Sequence, residues 1–215
     1  MKTSDFAKYG KALSPELPQG FVANKNLIFI SPIEDILRGI FFMNSTDANV
    51  FYFLVFFLPL YVPHNSLGAH AKRLRFNGHE RWHSNDIDIM INLRNTIYKE
   101  AIPFLDNLVM PEHVLTQLKR EIENARPRVN SHMLEALAYT LIKCGDYSSA
   151  LAPLSEIKQR LEKSTVSWDI EQRKRAQLIE EKLSHSPEAA LTQLNEWKNW
   201  TINKLGLEKY VQPTN

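Results

Sequence analysis

The run VFYFLVFFLPLYV, Val50 to Val62, constrains this chain more than any other stretch. Successive side chains of a strand point to opposite faces, so a half-buried strand alternates apolar and polar residues. These 13 residues show no such alternation. A run of this kind needs both faces covered, which predicts a strand in the middle of a sheet. The membrane reading fails on length. A spanning helix needs about 20 apolar residues, and this run is shorter and carries Pro59.

The neighbouring sequence supplies partners for such a strand. NLIFI (Asn26 to Ile30) reads as a strand ended by Pro32, and ILRGIFFM (Ile36 to Met43) as another. The polar loop NSTDAN joins the latter to the Val50 run, which makes a β-hairpin. The N-terminal segment around Phe6, Tyr9 and Leu13 is apolar enough to cover one face of the sheet, with later helices covering the other. Next comes AKRLRF-NG-HERWH. Asn-Gly between alternating residues is a strong hairpin signal, because both turn positions take positive φ. Lys72 to Phe76 and His79 to His83 are therefore expected to pair, with Arg75 across from Glu80.

From Ser84 the period becomes helical. Ser84, Asn85 or Asp86 caps a helix with Ile87, Met90, Ile91, Ile97, Tyr98 and Ala101 inward, and Pro103 ends or kinks it. Pro111 opens a second helix with Val114, Leu115, Leu118 and Ile122 inward. A joint is expected near 126–130, since Pro127 disfavours helix at Arg126. Further helices are expected over 130–144, 146–163, 168–183 and 187–205, the last ended by Gly206. Only 7 glycines in 215 residues fit a helix-rich chain. The expected class is α+β: an antiparallel sheet subdomain of about four or five strands with a flanking helix over 1–85, then an all-helical subdomain over 86–215.

Composition narrows the function classes. A formal charge of +2 gives no general electrostatic case for nucleic acid or membrane binding. Cys144 is the sole cysteine, so no disulfide can form within the chain, and the N-terminus lacks a signal-like apolar stretch. A cytoplasmic protein is expected. No Gly-rich phosphate loop, G-x-S-x-G elbow or dinucleotide fingerprint occurs.

The stretch HMLEALAYTLIKCGDYSSALAPLSEI, within Ser131 to Ile157, resembles a tetratricopeptide repeat. With Gly145 at the turn, Leu134, Leu137 and Ala138 fall on the first helix and Tyr147, Ala150 and Leu154 on the second. It departs from the repeat in lacking an aromatic at Leu141, in placing Ile157 where a small residue is usual, and in lacking a closing proline. SPEAALTQLNEW matches only the second-helix half. The resemblance implies an antiparallel helix pair whose concave side, including Tyr139 and Tyr147, binds another protein. The layout, with EAIPFLDNLVMPEHVLTQL, also resembles small bacterial proteins of unassigned function, some of toxin-immunity type. That likeness implies a non-catalytic protein whose partner is another protein.

One motif points elsewhere. His79-Glu80-Arg81-Trp82-His83 is literally H-E-x-x-H, which on a helix presents two zinc ligands and a general base. The zinc-hydrolase alternative takes His79 and His83 as ligands, Glu80 as base and Glu100 as third ligand, with zinc as cofactor. Asn77-Gly78 argues for a turn instead. As a strand the two histidines stand roughly 13 Å apart at about 3.3 Å per residue, beyond the reach of one zinc ion with ligand distances near 2 Å. The expectation is therefore a non-enzymatic, bacterial protein-interaction module with no cofactor and no membrane association. Its contacts are Arg73, Arg75, Arg81 and Trp82 on the basic hairpin and Tyr139 and Tyr147 on the helix pair. RNA binding through residues 72–83 is a second alternative.

Overall fold

The computed structural model describes residues 3–64, 67, 70–125 and 127–211, and the chain divides into two compact units. The first comprises Met1–Leu58, Ser66–Val109 and Leu207–Asn215; the second comprises Pro59–Asn65 and Met110–Gly206.

The first unit is built on an antiparallel sheet. Its strands are β1 (Phe21–Asn24), β2 (Leu27–Ile30), β3 (Ile36–Asn44), β4 (Val50–Pro59), β5 (Ala71–Arg73) and β6 (Arg81–His83). They follow one another as β1-β2-β3-β4-β5, with β6 also on β4. The apolar run of β4 is interior, and both of its faces are buried. One face carries Ile28, Ile40, Phe42, Phe51, Phe53 and Val55. Helix α1 (Thr3–Leu13) lies on it: Phe6 stacks on Phe42 at 5.4 Å between ring centroids and meets Phe51 edge-on at 5.7 Å. On the other face Phe41 packs edge-on against Phe56, and the returning C-terminal segment sets Tyr210 against Phe29 at 4.9 Å. Ile33 N–H donates to the Tyr210 carbonyl, which ties that segment to the sheet.

Helix α2 (Ile89–Thr96) continues through a π turn (Ile97–Ala101) into α3 (Ile102–Asp106). Of the residues expected inward, Ile97 and Ala101 are buried and Met90 packs against the core, but three are not. Ile87, Ile91 and Tyr98 are exposed, whereas Ile89, Leu93, Ile97, Ala101 and Leu105 enter the core. These five repeat every fourth residue. On a regular helix of 3.6 residues per turn such a row drifts around the axis. The π turn, where Ile102 N–H reaches back to Ile97 C=O, slows the winding and keeps the row on one face. It also accommodates Pro103, which lies inside α3 and does not end the helix. This helical stretch packs on the same face as α1, not on the opposite one. That packing places residues 86–109 in the first unit, across the 85/86 boundary drawn from sequence.

The second unit is helical: α4 (Pro111–Ala125), α5 (Ser131–Lys143), α6 (Tyr147–Arg160), α7 (Ser167–His185) and α8 (Pro187–Leu205). Its punctuation follows capping rules. Asn130 accepts from Met133 N–H, Asp146 from Ser149 N–H and Ser186 from Ala189 N–H, while Gly206 takes φ +66° after α8. Gly145, at φ +79°, turns α5 into α6. Ala138, Ala150, Leu154 and Ile157 are buried along that helix pair. Helix α8 returns onto α5, where Trp197 meets Tyr139 at 5.2 Å. The joint expected near 126–130 falls between α4 and α5 inside this unit; Arg126 itself lies outside the described residues. No described helix is long and apolar enough to cross a membrane.

Candidate functional site

The HERWH segment is a turn followed by a strand. Phe76 and His79 exchange both backbone hydrogen bonds at 2.9 Å, with Asn77 at φ +49° and Gly78 at φ +82° between them. This is the geometry that the Asn-Gly pair predicts. The expected two-stranded hairpin beyond it does not form. β5 pairs with Leu54–Phe56 of β4, and β6 pairs with Val50–Tyr52 of the same strand. The two short strands are thus parts of one edge strand, interrupted by the excursion 75–80. Trp82 fixes the arrangement. It is 2% exposed, sits among Phe51, Phe53 and Phe76, and donates its indole N–H to Leu74 C=O.

The helix that the zinc-hydrolase alternative requires is absent. His79 and His83 do not share a helical face, because the backbone between them is extended. Glu80 is turned to two guanidinium groups, accepting from Arg75 at 2.9 Å and Arg73 at 3.0 Å. Those hydrogen bonds, Arg75 first, hold its carboxyl below the usual glutamate range. Glu100 lies on the π turn, and among the described residues no three His, Cys, Asp or Glu side chains are grouped as an ion would require.

Of the residues expected to contact a partner, Arg73, Arg75 and Arg81 lie together on the exposed edge. Arg73 also lies over the Tyr52 ring at 4.1 Å, and Arg81 faces Asp47 at 3.6 Å. Trp82 is a buried anchor for that edge and offers no surface of its own. A groove of about 630 Å³ opens beside it, lined by Asp47, Phe76, Asn77, His79, Arg81, Trp82, His83 and Asp86. Asp86 leads to Ile87, which is 97% exposed, and Ile91 follows one turn later at 50%. Both isoleucines fit the inward face expected from the sequence, yet they form exposed apolar surface here.

The helix pair gives a different result. Tyr147 is half-buried in the first turn of α6, but Tyr139 has no exposed surface. Its hydroxyl donates to Glu135, a fully buried carboxylate that also accepts from Gln172 at 2.8 Å and from both arms of Arg175 at 2.7 and 3.0 Å. Burial, with the Glu135 charge adding to it, pushes the Tyr139 phenol well above its ordinary range. Burial is the largest influence and opposes the Arg175 charge, yet the hydrogen bonds and charges of Glu135 and Tyr139 together raise the guanidinium pKa. Sequence reasoning passed over Glu135, Gln172 and Arg175. The available signal was a glutamate four residues before Tyr139, on an otherwise apolar helix. A smaller apolar groove of about 330 Å³ lies along the same helices, between Ile122, Leu134, Leu137 and Pro153. No family model, curated protein or solved structure matches this chain.

Proposed function

We propose that the chain is a non-enzymatic protein-interaction module of immunity or adaptor type, engaging its partner through the β5–β6 edge and the adjoining groove. One observation carries the reading: a charged open sheet edge, a groove and two solvent-facing isoleucines are contiguous in sequence and lie on one unit. Isolated exposed apolar residues are ordinary on protein surfaces, whereas apolar residues beside a groove rimmed with charge mark interaction sites. Trp82, pinned from behind, gives the edge a rigid base, and rigid presentation lowers the ordering cost of binding.

The test uses the full chain carrying a photo-crosslinking residue in place of His79 or Ile87, with Gln177 on α7 as control position. The expected result is one stoichiometric protein adduct in native lysate from 79 and 87, absent from 177, with the adduct from 79 abolished by Ile87→Asp. No adduct, or equal capture from all three positions, refutes the reading.

A further inference from the structure

Asn77-Gly78 is the only Asn-Gly step in the chain. Asparagine is among the chemically labile residues. Its side-chain carbonyl carbon can be attacked by the backbone nitrogen of the next residue, closing a five-membered ring. The next side chain hinders that attack, and so does a hydrogen bond that holds the next N–H. Neither obstacle is present here. A Cβ placed on Gly78 would meet nothing within 4 Å. Asn77 and Gly78 are both exposed, and among the described residues neither the Gly78 N–H nor the Asn77 amide has a hydrogen-bond partner. Other exposed asparagines differ at the attacking atom. Ser45 N–H, after Asn44, donates to Val50 C=O; Val50 N–H, after Asn49, donates to Asp47 C=O; Asp86 N–H, after Asn85, donates to His83 C=O.

The tip also has room to rearrange. Ring closure rotates the Asn77 Cα–C bond out of the turn, in which Asn77 and Gly78 sit at φ +49° and +82°. Glycine follows such a rotation at little steric cost. The two residues are held through their neighbours Phe76 and His79, and exposed loop tips of this kind open locally at low free energy. We propose that Asn77 is a site of spontaneous deamidation in the folded protein. The Gly78 nitrogen gives its proton to solvent and bonds to Asn77 Cγ, the Cγ–Nδ2 bond breaks, and ammonia leaves a succinimide. Water then opens the ring. Attack at Cγ restores the main chain as aspartate, whereas attack at the backbone carbonyl leaves isoaspartate, with the main chain running through Cβ and Cγ. The balance is one water in and one ammonia out. Isoaspartate adds one atom to the main chain of a two-residue loop, and loop length fixes the register of its flanks. The Phe76–His79 pair is thereby lost. Phe76, Asn77 and His79 line the groove beside Trp82, so the same event reshapes that groove and adds a carboxylate to it.

The test holds the full chain in mildly alkaline buffer made with heavy-oxygen water and follows each asparagine by peptide fragment mass. Asn77 is expected to convert at least about tenfold faster than Asn44, Asn49 or Asn85. It should take up one heavy oxygen and yield isoaspartate that an isoaspartyl methyltransferase labels. In the isoaspartate form the His79 amide is expected to exchange at least about tenfold faster than in the parent. Asn77→Asp, which keeps the loop length, should retain that protection. Conversion of Asn77 in urea but not in the folded chain overturns the inference. So does a rate equal to the other three sites, aspartate without isoaspartate, or unchanged His79 exchange in the isoaspartate form.

Discussion

Replacing Arg175 by Met tests how the helical unit tolerates a charge in its interior. Glu135 has zero exposure and accepts four hydrogen bonds, two of them from the Arg175 guanidinium, the only cation among its partners there. The substitution preserves most of the side-chain volume but leaves an ionised carboxylate with two neutral donors. Removing one member of a buried ion pair costs about 3–5 kcal/mol, because the remaining charge stays dry and uncompensated. The Arg175 side chain is 22% exposed, which lets water approach from that side and points to the lower end, about 3 kcal/mol.

Adding Glu135→Gln to Arg175→Met should return most of that loss. The new amide accepts from Tyr139, and once the Gln172 amide turns over, its N–H donates to Gln172 Oε1, which is buried without a hydrogen-bond partner in the parent. The double variant is therefore expected within about 1 kcal/mol of the parent, a coupling well above the few tenths typical of independent sites. Native-state hydrogen exchange on α5 reads this directly: about 3 kcal/mol is a loss of protection on the order of a hundredfold. A loss below about tenfold in the single variant, or a double variant as unstable as the single one, refutes the account.

Three further outcomes follow from local geometry. At Gly39 an added Cβ would meet Ile28 C=O at 2.3 Å and Phe29 Cα at 2.8 Å, both backbone. Gly39→Ala must therefore part β2 from β3, and a loss of more than about 3 kcal/mol is expected in thermal melts; a melting point within about 4 °C of the parent contradicts it. Burial, with Glu112 adding to it, pushes the Cys144 thiol up to about 11. Its alkylation rate should climb without levelling until pH approaches that value, and a plateau near pH 9 would show an ordinary exposed thiol. Because the folded pKa of Glu80 is depressed, its contribution to the turn is present above the ordinary glutamate range and lost as pH falls below it. In an NMR titration its carboxyl should move back toward the usual range when Arg73 and Arg75 are both replaced by Gln; an unchanged midpoint refutes the pairing.

What was legible in the sequence was chiefly what local chemistry decides. The unbroken apolar character of Val50 to Pro59 located the interior strand, and Asn130, Asp146, Gly145 and Gly206 marked helix ends where their side chains or positive φ do the work. β1 escaped because its hairpin turns through Lys25 at φ +55°, which no turn rule singles out, with the Asn26 amide donating to Phe42 C=O from the turn. The inward face of α2 is misread at Ile87, Ile91 and Tyr98, which fit three-to-four spacing but are exposed; the π turn that sets the true four-residue row is invisible in composition. Glu135 was illegible for a related reason. A lone carboxylate on an apolar helix reads as a solvated position until Gln172 and Arg175, some 40 residues away, are brought to it by α7.

The departures from local rule are not spread evenly over the first unit. The broken edge strand, the solvent-facing Ile87 and the uncapped start of α2 at Asp88 all lie between residues 74 and 91. Sequences that fold well tend to agree with themselves at every level, and conflicts concentrate where function imposes its own demands. Here the conflict has a size. Fully burying an isoleucine is worth about 1.5–3 kcal/mol, which folding forgoes at Ile87 with its 97% exposure. A partner that covers Ile87 and the outer half of Ile91 recovers that free energy at the interface. Trp168 and Trp200 of the helical unit are exposed too, at 65% and 48%, but neither lines the groove beside Arg173 or the one between Leu134 and Pro153. On the proposed function, the exposed apolar surface, the sheet edge and the charges that meet in the β6–α2 region are where a partner gains contact.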